Sequence, residues 1–331
     1  MGTNRAHLLL WRANADKRPD IPLITGLMWS SRTNWNGVTV ALSDVTEQVH
    51  RHTTGGLTRR SSVLAIVPHF RCEPWLADCL DSLLRQTRAV AGIVVIDDGS
   101  GSPPSAIVRR FPAVTLLASD ENVGPYRLSQ AVIDNTGYDA YLFQDADDWS
   151  MPLRLELLLA EAERSGAAMI GCQGFRLISD EGEVVPLTFP LDVNAALTRR
   201  PTTHALMHPS SIVARELVMR VGGFATGLRF GADTEFEHRA VHVARLKNIP
   251  HFAYVVRNRP NSLTSSADTG LRSPQRVELK DVEFAHAAAN AARAADGLPL
   301  DLAPLAVAPP ARLTHLTGPR LRSAQGNLWP A

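Results

Sequence analysis

Two short runs of acidic residues are the part of this sequence best suited to chemistry. Asp97 and Asp98 stand before a glycine and a serine, and Asp145, Asp147 and Asp148 lie in the run QDADD. Carboxylates at this spacing can share one hard cation, because Mg²⁺ and Mn²⁺ prefer oxygen ligands and often keep phosphate oxygens and waters as further ligands. The first run could instead accept hydrogen bonds from a nucleobase or a ribose. Each run alone also fits a solvated turn.

Both acidic runs directly follow segments that have the pattern of buried strands. Continuous apolar runs at residues 63–67, 92–96, 114–117 and 140–143 indicate strands that are covered on both faces. Helical spacing between these runs predicts an α/β fold with a mostly parallel sheet flanked by helices. Because ligands of open α/β sheets bind outside the carboxyl ends of strands, we expect both acidic runs at one edge of the sheet.

The composition excludes several classes of protein. The 331 residues include 34 Lys and Arg against 33 Asp and Glu, a formal net charge of +1, which argues against a protein that coats nucleic acid or anionic membranes. Three cysteines without a CxxC motif argue against a disulfide framework or a cysteine zinc site. The absence of GxGxxG after the first strand, and of GxxxxGK[ST] anywhere, argues against a dinucleotide dehydrogenase and a P-loop protein.

The chain divides into four parts by composition. Residues 1–60 form an N-terminal extension of unknown role, and residues 61–265 carry the alternating strands and helices. Residues 266–297 predict a helical segment, and residues 298–331 form a Pro-, Arg- and Ala-rich tail that is expected to be poorly ordered. No apolar run approaches the ~20 residues that cross a bilayer. We therefore expect a cytoplasmic protein, with peripheral membrane attachment as an alternative through the tail arginines Arg312, Arg320 and Arg322.

Together these segments resemble glycosyltransferase family 2, a group of nucleotide-sugar-dependent enzymes with the GT-A fold. The resemblance runs from residue 61 to about residue 265 and depends on stretches that occur in the family's order. These stretches are VLAIVPHF, IVVIDDGS, ENVGP, YLFQDADD, VGGF and LRFGADTEF. The resemblance implies a Rossmann-like nucleotide-binding half and an acceptor half, and identifies residues 61–265 as the catalytic domain.

The resemblance also implies a role for individual residues. Asp233 would be the general base that deprotonates the acceptor hydroxyl, so that one displacement inverts the anomeric centre. Asp147 would be the principal ligand of Mg²⁺ or Mn²⁺, with Asp145 beside it, and the cation would stabilise the leaving nucleoside diphosphate. The expected nucleotide-sugar-binding residues are Pro68, Phe70, Asp98, Asn122, Gly124, Arg127, Asp145, Arg257 and Arg259. Residues expected on the acceptor side are His208, Gly223 and Phe224.

Two positions depart from the family's pattern. The family often has a glutamate directly before the base, where this chain has Ala232. Many members also have a histidine after the last core strand as a further metal contact, where this chain has Arg259. Arg257 and Arg259 could neutralise the diphosphate directly, which would weaken the dependence on a metal, or their loop could close over the donor as a lid.

Other functions are compatible with parts of this pattern. A nucleotidyltransferase would need a basic, glycine-rich loop after the first strand, which residues 68–71 do not provide. A non-catalytic module of the same fold would bind the nucleotide sugar without transferring it. The acceptor stays open among a glycan, a lipid-linked intermediate, a protein side chain and a modified nucleobase. The helix expected from Pro274 is predicted to pack on the catalytic domain or to form a homo-oligomer contact.

Overall fold

The computed structural model describes residues 56–178, 183–259, 262–266 and 268–329. The N-terminal extension predicted for residues 1–60 lies outside this range up to residue 55. All structural statements below concern the described residues.

A ten-stranded sheet forms the centre of the fold. In spatial order its strands are β10 (Leu313–Thr317), β3 (Val114–Ser119), β2 (Gly92–Asp98), β1 (Val63–His69), β4 (Ala140–Phe143), β8 (Ile212–Ala214), β6 (Met169–Leu177), β9 (Leu246–Arg257) and β5 (Trp149–Ser150), with β7 (Val184–Leu187) paired to β6. Strands β3, β2, β1 and β4 are parallel, as predicted. Beyond β4 the sheet is mixed, because β8 is antiparallel to both β4 and β6. The α/β class predicted from the sequence is confirmed.

Helices cover both the parallel and the mixed part of the sheet. They are α1 (Glu73–Leu84), α2 (Ser105–Val108), α3 (Pro125–Asn135), α4 (Arg154–Ser165), α5 (Val193–Arg199), α6 (Arg215–Arg220), α7 (Ala232–Ala240) and α8 (Pro274–Ala295), with a 3-10 turn at His208–Ser210. A proline lies in the first turn of α1, α3 and α8, where its missing N–H costs no hydrogen bond. No helix among the described residues is both long enough and apolar enough to cross a bilayer.

The core lies where the apolar runs predicted it. Residues 63–67 and 93–96 are each no more than 2% exposed, so β1 and β2 are covered on both faces. Leu128, Val132 and Ile133 of α3 and Leu76, Leu80 and Leu83 of α1 complete the same cluster. Burial of this apolar surface fixes the parallel strands, and their carboxyl ends consequently share one edge.

The C-terminal segment differs from the sequence expectation. Composition predicts a poorly ordered tail at residues 298–331, but residues 298–329 pack along the domain. Strand β10 is antiparallel to β3, and β11 (Leu321–Arg322) forms a hairpin with β12 (Leu328–Trp329). The partners of this segment are remote in sequence, as shown by the Gly227 N–H that donates to the Ala306 carbonyl at 3.0 Å. Local composition contains no record of such contacts, which is why the pattern looks unstructured.

Candidate functional site

The turn after β4 gathers three carboxylates. Asp145, Asp147 and Asp148 each offer one oxygen, and these oxygens lie within 4.8 Å of one another. We call this group the acid turn. It lies at the carboxyl edge of the parallel strands, where the sequence places it.

Asp148, to which the sequence assigned no role, is the most buried member of the acid turn. Its side chain is buried, its Oδ1 accepts the Arg257 backbone N–H at 2.7 Å, and its Oδ2 has no hydrogen-bond partner among the described residues. Burial, then the neighbouring carboxylates of Asp147 and Asp145, raise the pKa of Asp148 well above its usual value. An unpartnered buried oxygen beside two further carboxylates fits a hard divalent cation such as Mg²⁺ or Mn²⁺.

Asp145 connects the acid turn to the predicted base. Its side chain is exposed at the cleft, where loss of solvation, then Asp147 and Asp233, raise the pKa of Asp145 to about 7. Asp145 follows Phe143 by two residues, and the Phe143 ring centre lies 4.1 Å from that of His208, a neighbour of Asp233. Residues that are 88 positions apart in the sequence therefore converge.

Arg154 supports the end of β4, next to the acid turn, a role that the sequence did not suggest. This arginine is completely buried, and its Nη2 donates to the carbonyl oxygens of Phe143 and Pro209, both at 2.7 Å. The guanidinium carbon of Arg154 also lies 4.7 Å from the centre of the Tyr254 ring. Arg154 thus ties the end of β4 to the turn that carries His208.

Arg259 pairs directly with the acid turn. Its Nε forms an ion pair with Oδ2 of Asp147, and its Nη2 donates to the Cys72 sulfur at 3.2 Å. The guanidinium carbon also lies 5.5 Å from the ring centre of Trp75. Burial opposes the charge on Arg259, but Asp147 outweighs it and raises the pKa of this guanidinium.

Arg257 lies at the other side of the same turn. Its Nε donates to the Asp147 carbonyl at 3.2 Å, while its backbone N–H holds Asp148. The guanidinium is placed between two indoles, 5.9 Å from the ring centre of Trp75 and 5.2 Å from that of Trp149. The structure therefore brings both predicted arginines to the acid turn and holds them with aromatic faces.

Asp98 anchors the loop before α3. Its carboxylate accepts the backbone N–H groups of Val123 at 2.7 Å and Gly124 at 3.0 Å, and Asn122 Nδ2 donates to its carbonyl at 3.0 Å. Burial raises the pKa of Asp98, and these backbone hydrogen bonds offset only part of that effect. Asp98, Asn122 and Gly124 are thus brought together as predicted, and in this structure Asp98 holds the start of α3.

A buried histidine–aspartate pair that the sequence analysis missed lies beside this loop. His69 Nδ1 is 3.1 Å from Asp97 Oδ1, and its Nε2 accepts the Cys72 N–H at 3.2 Å, so the ring proton lies on Nδ1. Burial opposes ionisation of Asp97, but hydrogen bonds from His69 and Ser100 hold the pKa of Asp97 below its usual value. His69 ends β1 and pairs in register with Asp97 of β2, which becomes visible once the pairing of these strands is known.

This pair fixes the end of β1, where the predicted donor-side residues Pro68 and Phe70 lie. Pro68 is half-buried, and Phe70 is 36% exposed with the Arg71 guanidinium carbon 5.0 Å from its ring centre. Arg71 has a φ of +52°, a strained value for a residue other than glycine. An exposed aromatic ring on a fixed loop is suited to stacking on a nucleobase.

Asp233 lies in the first turn of α7, next to Tyr126 of α3. Tyr126, His204 and His208 all lie close enough to Asp233 to stabilise its charged form. Burial opposes ionisation, but His204, His208 and Tyr126 outweigh it and hold the pKa of Asp233 below its usual value. The helix N-terminus adds a partial positive charge. Asp233 is therefore ionised and able to accept a proton.

His208 and Phe224 form an aromatic wall near Asp233. The His208 ring centre lies 4.1 Å from that of Phe143, 5.4 Å from Phe224 and 5.8 Å from Tyr126. Burial lowers the pKa of His208 to about 4, so the ring is neutral at pH 7, and its Nδ1 has no partner among the described residues. His208 and Phe224, which were predicted for the acceptor side, thus lie together near Asp233.

Two predicted site residues, Arg127 and Gly223, lie elsewhere. The Arg127 Nε donates to the Pro309 carbonyl at 2.6 Å, and both predicted residues line a cavity of about 270 Å³ between α3 and the C-terminal segment. The physical reason is helical phase: Tyr126 faces Asp233, and the next residue points about 100° away around the helix. Gly223 has a φ of +84°, and a Cβ there would meet the Gln130 side chain at 2.7 Å.

A buried ion pair fixes the far side of α7. Arg239 Nη2 lies 2.6 Å from Glu235 Oε2 and 2.9 Å from the Gly223 carbonyl, which it binds as donor. Glu235 Oε1 accepts the Leu305 N–H at 3.1 Å. The side of α7 that carries Glu235 and Arg239 is therefore held by this ion pair and by the C-terminal segment.

Glu283 of α8 lies next to the start of α7. Its side chain is buried and contacts Gly231 so closely that any Cβ at position 231 would clash with its Oε1. Burial, then Asp233 and Glu235, raise the pKa of Glu283 to about 8. The helix predicted from Pro274 thus packs on α7 and places a second carboxyl group near Asp233.

Comparison with known proteins gives matches over this same region. Residues 64–222 match the family described as Glycosyl transferase family 2. EpsJ, an uncharacterized glycosyltransferase of Bacillus subtilis strain 168, is 32% identical over 223 residues, which cover 61% of this chain and 62% of EpsJ. WbnJ, an O-antigen biosynthesis glycosyltransferase of Escherichia coli, is 23% identical over 172 residues, which cover 50% of this chain and 66% of WbnJ. The chain thus spans less than two thirds of the length of either relative.

Solved structures extend the comparison to the fold. The crystal structure of S. aureus TarS residues 1–349 in complex with UDP-GlcNAc superposes with a TM-score of 0.52 at 19% identity, covering 70% of this chain and 73% of that chain. The same TarS fragment in complex with UDP gives a TM-score of 0.50, also at 19% identity. At this identity the likeness concerns the fold alone, and it confirms the GT-A-like architecture.

Proposed function

Because the chain belongs to glycosyl transferase family 2, we propose that it transfers a sugar from a nucleotide-diphosphate sugar to an acceptor hydroxyl, with inversion at the anomeric carbon. Residues 61–265 would form the catalytic domain. The observation that carries this proposal is the convergence of the acid turn and Asp233: the His208 ring centre lies 4.1 Å from that of Phe143, two residues before Asp145, and 5.8 Å from that of Tyr126, beside Asp233.

The acid turn and its arginines would receive the donor's diphosphate. Asp145, Asp147 and Asp148 would hold Mg²⁺ or Mn²⁺, which when bound stabilises negative charge on the leaving nucleoside diphosphate. Arg257 and Arg259 are placed to add fixed positive charge at the same position. The nucleobase would lie toward Phe70 and the loop that Asp98 holds.

Asp233 would remove the acceptor proton. The attacking oxygen forms the new bond to the anomeric carbon while its proton passes to the Asp233 carboxylate, and the bond to the diphosphate breaks. Tyr126 and His208 lie beside the carboxylate, where they would hold it and the acceptor hydroxyl in place. The cleft holds donor and acceptor together, which supplies part of the rate by proximity.

The relatives suggest which substrates to test first. The TarS structures contain UDP and UDP-GlcNAc, which makes UDP-sugars the first donors. WbnJ is named for O-antigen biosynthesis, which favours a glycan hydroxyl as acceptor over a protein or a nucleobase.

A donor panel tests the proposal. The full chain is incubated with UDP-, GDP- and dTDP-sugars, with and without Mn²⁺, and release of nucleoside diphosphate is followed while donor binding is measured by calorimetry. We expect donor binding and slow release by hydrolysis for at least one sugar, with faster release once a glycan acceptor is added.

The same experiment separates the alternatives. Binding without release in any combination would favour a nucleotide-sugar-binding module, and failure to bind any donor would contradict the proposal. A nucleotidyltransferase would instead release pyrophosphate from a nucleoside triphosphate and a sugar phosphate, which the same assay can include.

A further inference from the structure

The ion pair between Arg259 and Asp147 occupies a carboxylate oxygen that the proposed function needs. Asp147 is the principal metal ligand that the family implies, and its Oδ2 is paired with Arg259 Nε. A carboxylate oxygen that binds a guanidinium is less available to a dication, and two positive groups at one oxygen repel each other. Arg259 and a cation therefore exclude each other at this position.

Arg259 has partners that keep it near the site when it leaves Asp147. Its Nη2 donates to the Cys72 sulfur at 3.2 Å, and its guanidinium lies 5.5 Å from the Trp75 ring centre. These contacts come from α1 and the residue before it, not from the acid turn. The side chain can therefore turn its Nε away from Asp147 while its other end stays anchored over Trp75.

The two other acids are placed differently. Asp148 Oδ1 binds a backbone N–H that does not carry a full charge, and Asp148 Oδ2 has no partner among the described residues. Asp145 is exposed, and no ion pair joins it to a cation in the described part of the chain. Of the three carboxylates in the acid turn, Asp147 is the one whose oxygen is held by an arginine side chain at ion-pair distance.

We propose that Arg259 is an internal counter-ion that competes with the divalent cation for Asp147 and gives it up when a diphosphate offers the guanidinium a second anion. This inference rests on the proposed function. It predicts weak metal binding to the nucleotide-free protein and mutual strengthening of metal and nucleotide binding. By thermodynamic reciprocity, UDP must raise Mn²⁺ affinity by the same factor by which Mn²⁺ raises UDP affinity.

Mn²⁺ titration tests the competition without an activity assay. Free Mn²⁺ is measured by electron paramagnetic resonance for the wild type, Arg259→Ala and Arg259→Gln, with and without UDP. In the absence of UDP, both variants are expected to bind Mn²⁺ roughly tenfold more tightly than the wild type, a typical size for such coupling. Added UDP should tighten Mn²⁺ binding by the wild type roughly tenfold and by the variants much less.

Controls separate charge removal from damage. Arg85→Ala removes one exposed arginine that pairs only weakly with Asp81 at 3.8 Å, and it should leave Mn²⁺ affinity unchanged. Thermal unfolding checks that each Arg259 variant is folded, and Arg259→Gln keeps much of the packing on Trp75 if the alanine variant is unstable.

The outcomes distinguish this inference from the proposed function. If Arg259→Ala and Arg259→Gln bind Mn²⁺ no more tightly than the wild type without UDP, the competition is overturned. If they bind it more tightly but UDP binds to none of the proteins, the competition stands and the choice of donor fails. If no protein binds Mn²⁺ under any condition, both the inference and the metal site fall.

Discussion

The acid turn and the surroundings of Asp233 use the same residue type in opposite electrostatic settings. Three carboxylates crowd the acid turn, where lost solvation, then the charges of Asp147 and Asp233, raise the pKa of Asp145 to about 7. Asp233 is one carboxylate among histidines and a tyrosine, which hold its pKa below the usual value despite burial. The comparison therefore contrasts a cluster suited to binding positive charge with a single carboxylate that stays ionised.

Local structure explains why the two regions differ. The acid turn directly follows β4, so adjacent side chains in sequence are forced close together in space. Asp233 stands in the first turn of α7, where the helix dipole favours a negative charge. Both settings use ordinary residue types. They differ because the acid turn follows a strand, whereas Asp233 lies at the start of a helix.

Replacement of the base should give the largest effect. Asp233→Asn keeps the shape of the side chain but removes the proton acceptor, so turnover should fall about 10³-fold while donor affinity stays within about twofold. Nucleoside diphosphate release and calorimetric donor binding measure the two quantities. Full turnover in this variant would show that Asp233 is not the base.

Removal of the buried ion pair between Arg239 and Glu235 should give the second-largest effect, measured as a loss of folding stability. Arg239→Met leaves Glu235 buried without its ion pair, which should lower the free energy of unfolding by about 3–5 kcal/mol. The exposed pair of Arg220 and Glu216 provides the matched control, and Arg220→Met should cost about 0–1 kcal/mol. Equal losses in urea denaturation of the two variants would contradict this difference.

The next prediction concerns Asp147 of the acid turn and its effect on donor binding. Asp147→Ala should weaken Mn²⁺-dependent donor binding about tenfold or more, because it removes a charged ligand from the cation site. Binding of the donor without Mn²⁺ should change much less, since Arg259 is then free to meet the diphosphate. A variant with unchanged Mn²⁺ dependence would remove Asp147 from the metal site.

The pH dependence of stability should show the smallest effect. Glu283 has a pKa of about 8 in the folded protein, against about 4.5 in the unfolded chain, with Asp233, Glu235, Arg276 and Lys280 around it. Because the folded state retains a proton that the unfolded chain releases, the stability that Glu283 contributes is lost as pH rises toward about 8 and through it.

Glu283→Gln, which cannot titrate, isolates this contribution. Relative to the glutamine variant, the wild type should lose thermal stability between pH 5 and pH 9, by a few degrees in Tm. If Tm depends on pH in the same way for both proteins, folding does not raise the pKa of Glu283.

The parts of the site that follow from short sequence segments were predictable. Asp145 and Asp147 stand beside each other after a buried strand, so strand and cluster could be inferred from the same few residues. His69 with Asp97 was in principle readable from strand register, but only once the pairing of β1 with β2 is known. Glu283 and the ion pair of Glu235 with Arg239 depend on packing between remote segments, which sequence patterns do not record.

Helical phase accounts for the incorrect placement of Arg127. The sequence indicated a helix after Gly124 but could not say which side of it faces the cleft. Packing gave that position to Tyr126 and turned Arg127 toward Pro309. The prediction of a poorly ordered tail differs from the structure for a related reason, because β10 forms only along the edge of β3.

The antiparallel pairing of β10 with β3 has a consequence for how the protein is made. Thr115 in β3 and Pro319 just after β10 contact each other across 204 positions of sequence, so β3 emerges from the ribosome long before its outer neighbour. Until then its backbone N–H and carbonyl groups form an open strand edge, the kind of surface on which unfinished chains associate. Nascent chains that stall before residue 313 therefore keep this edge open, and only synthesis of the last sheet strand covers it.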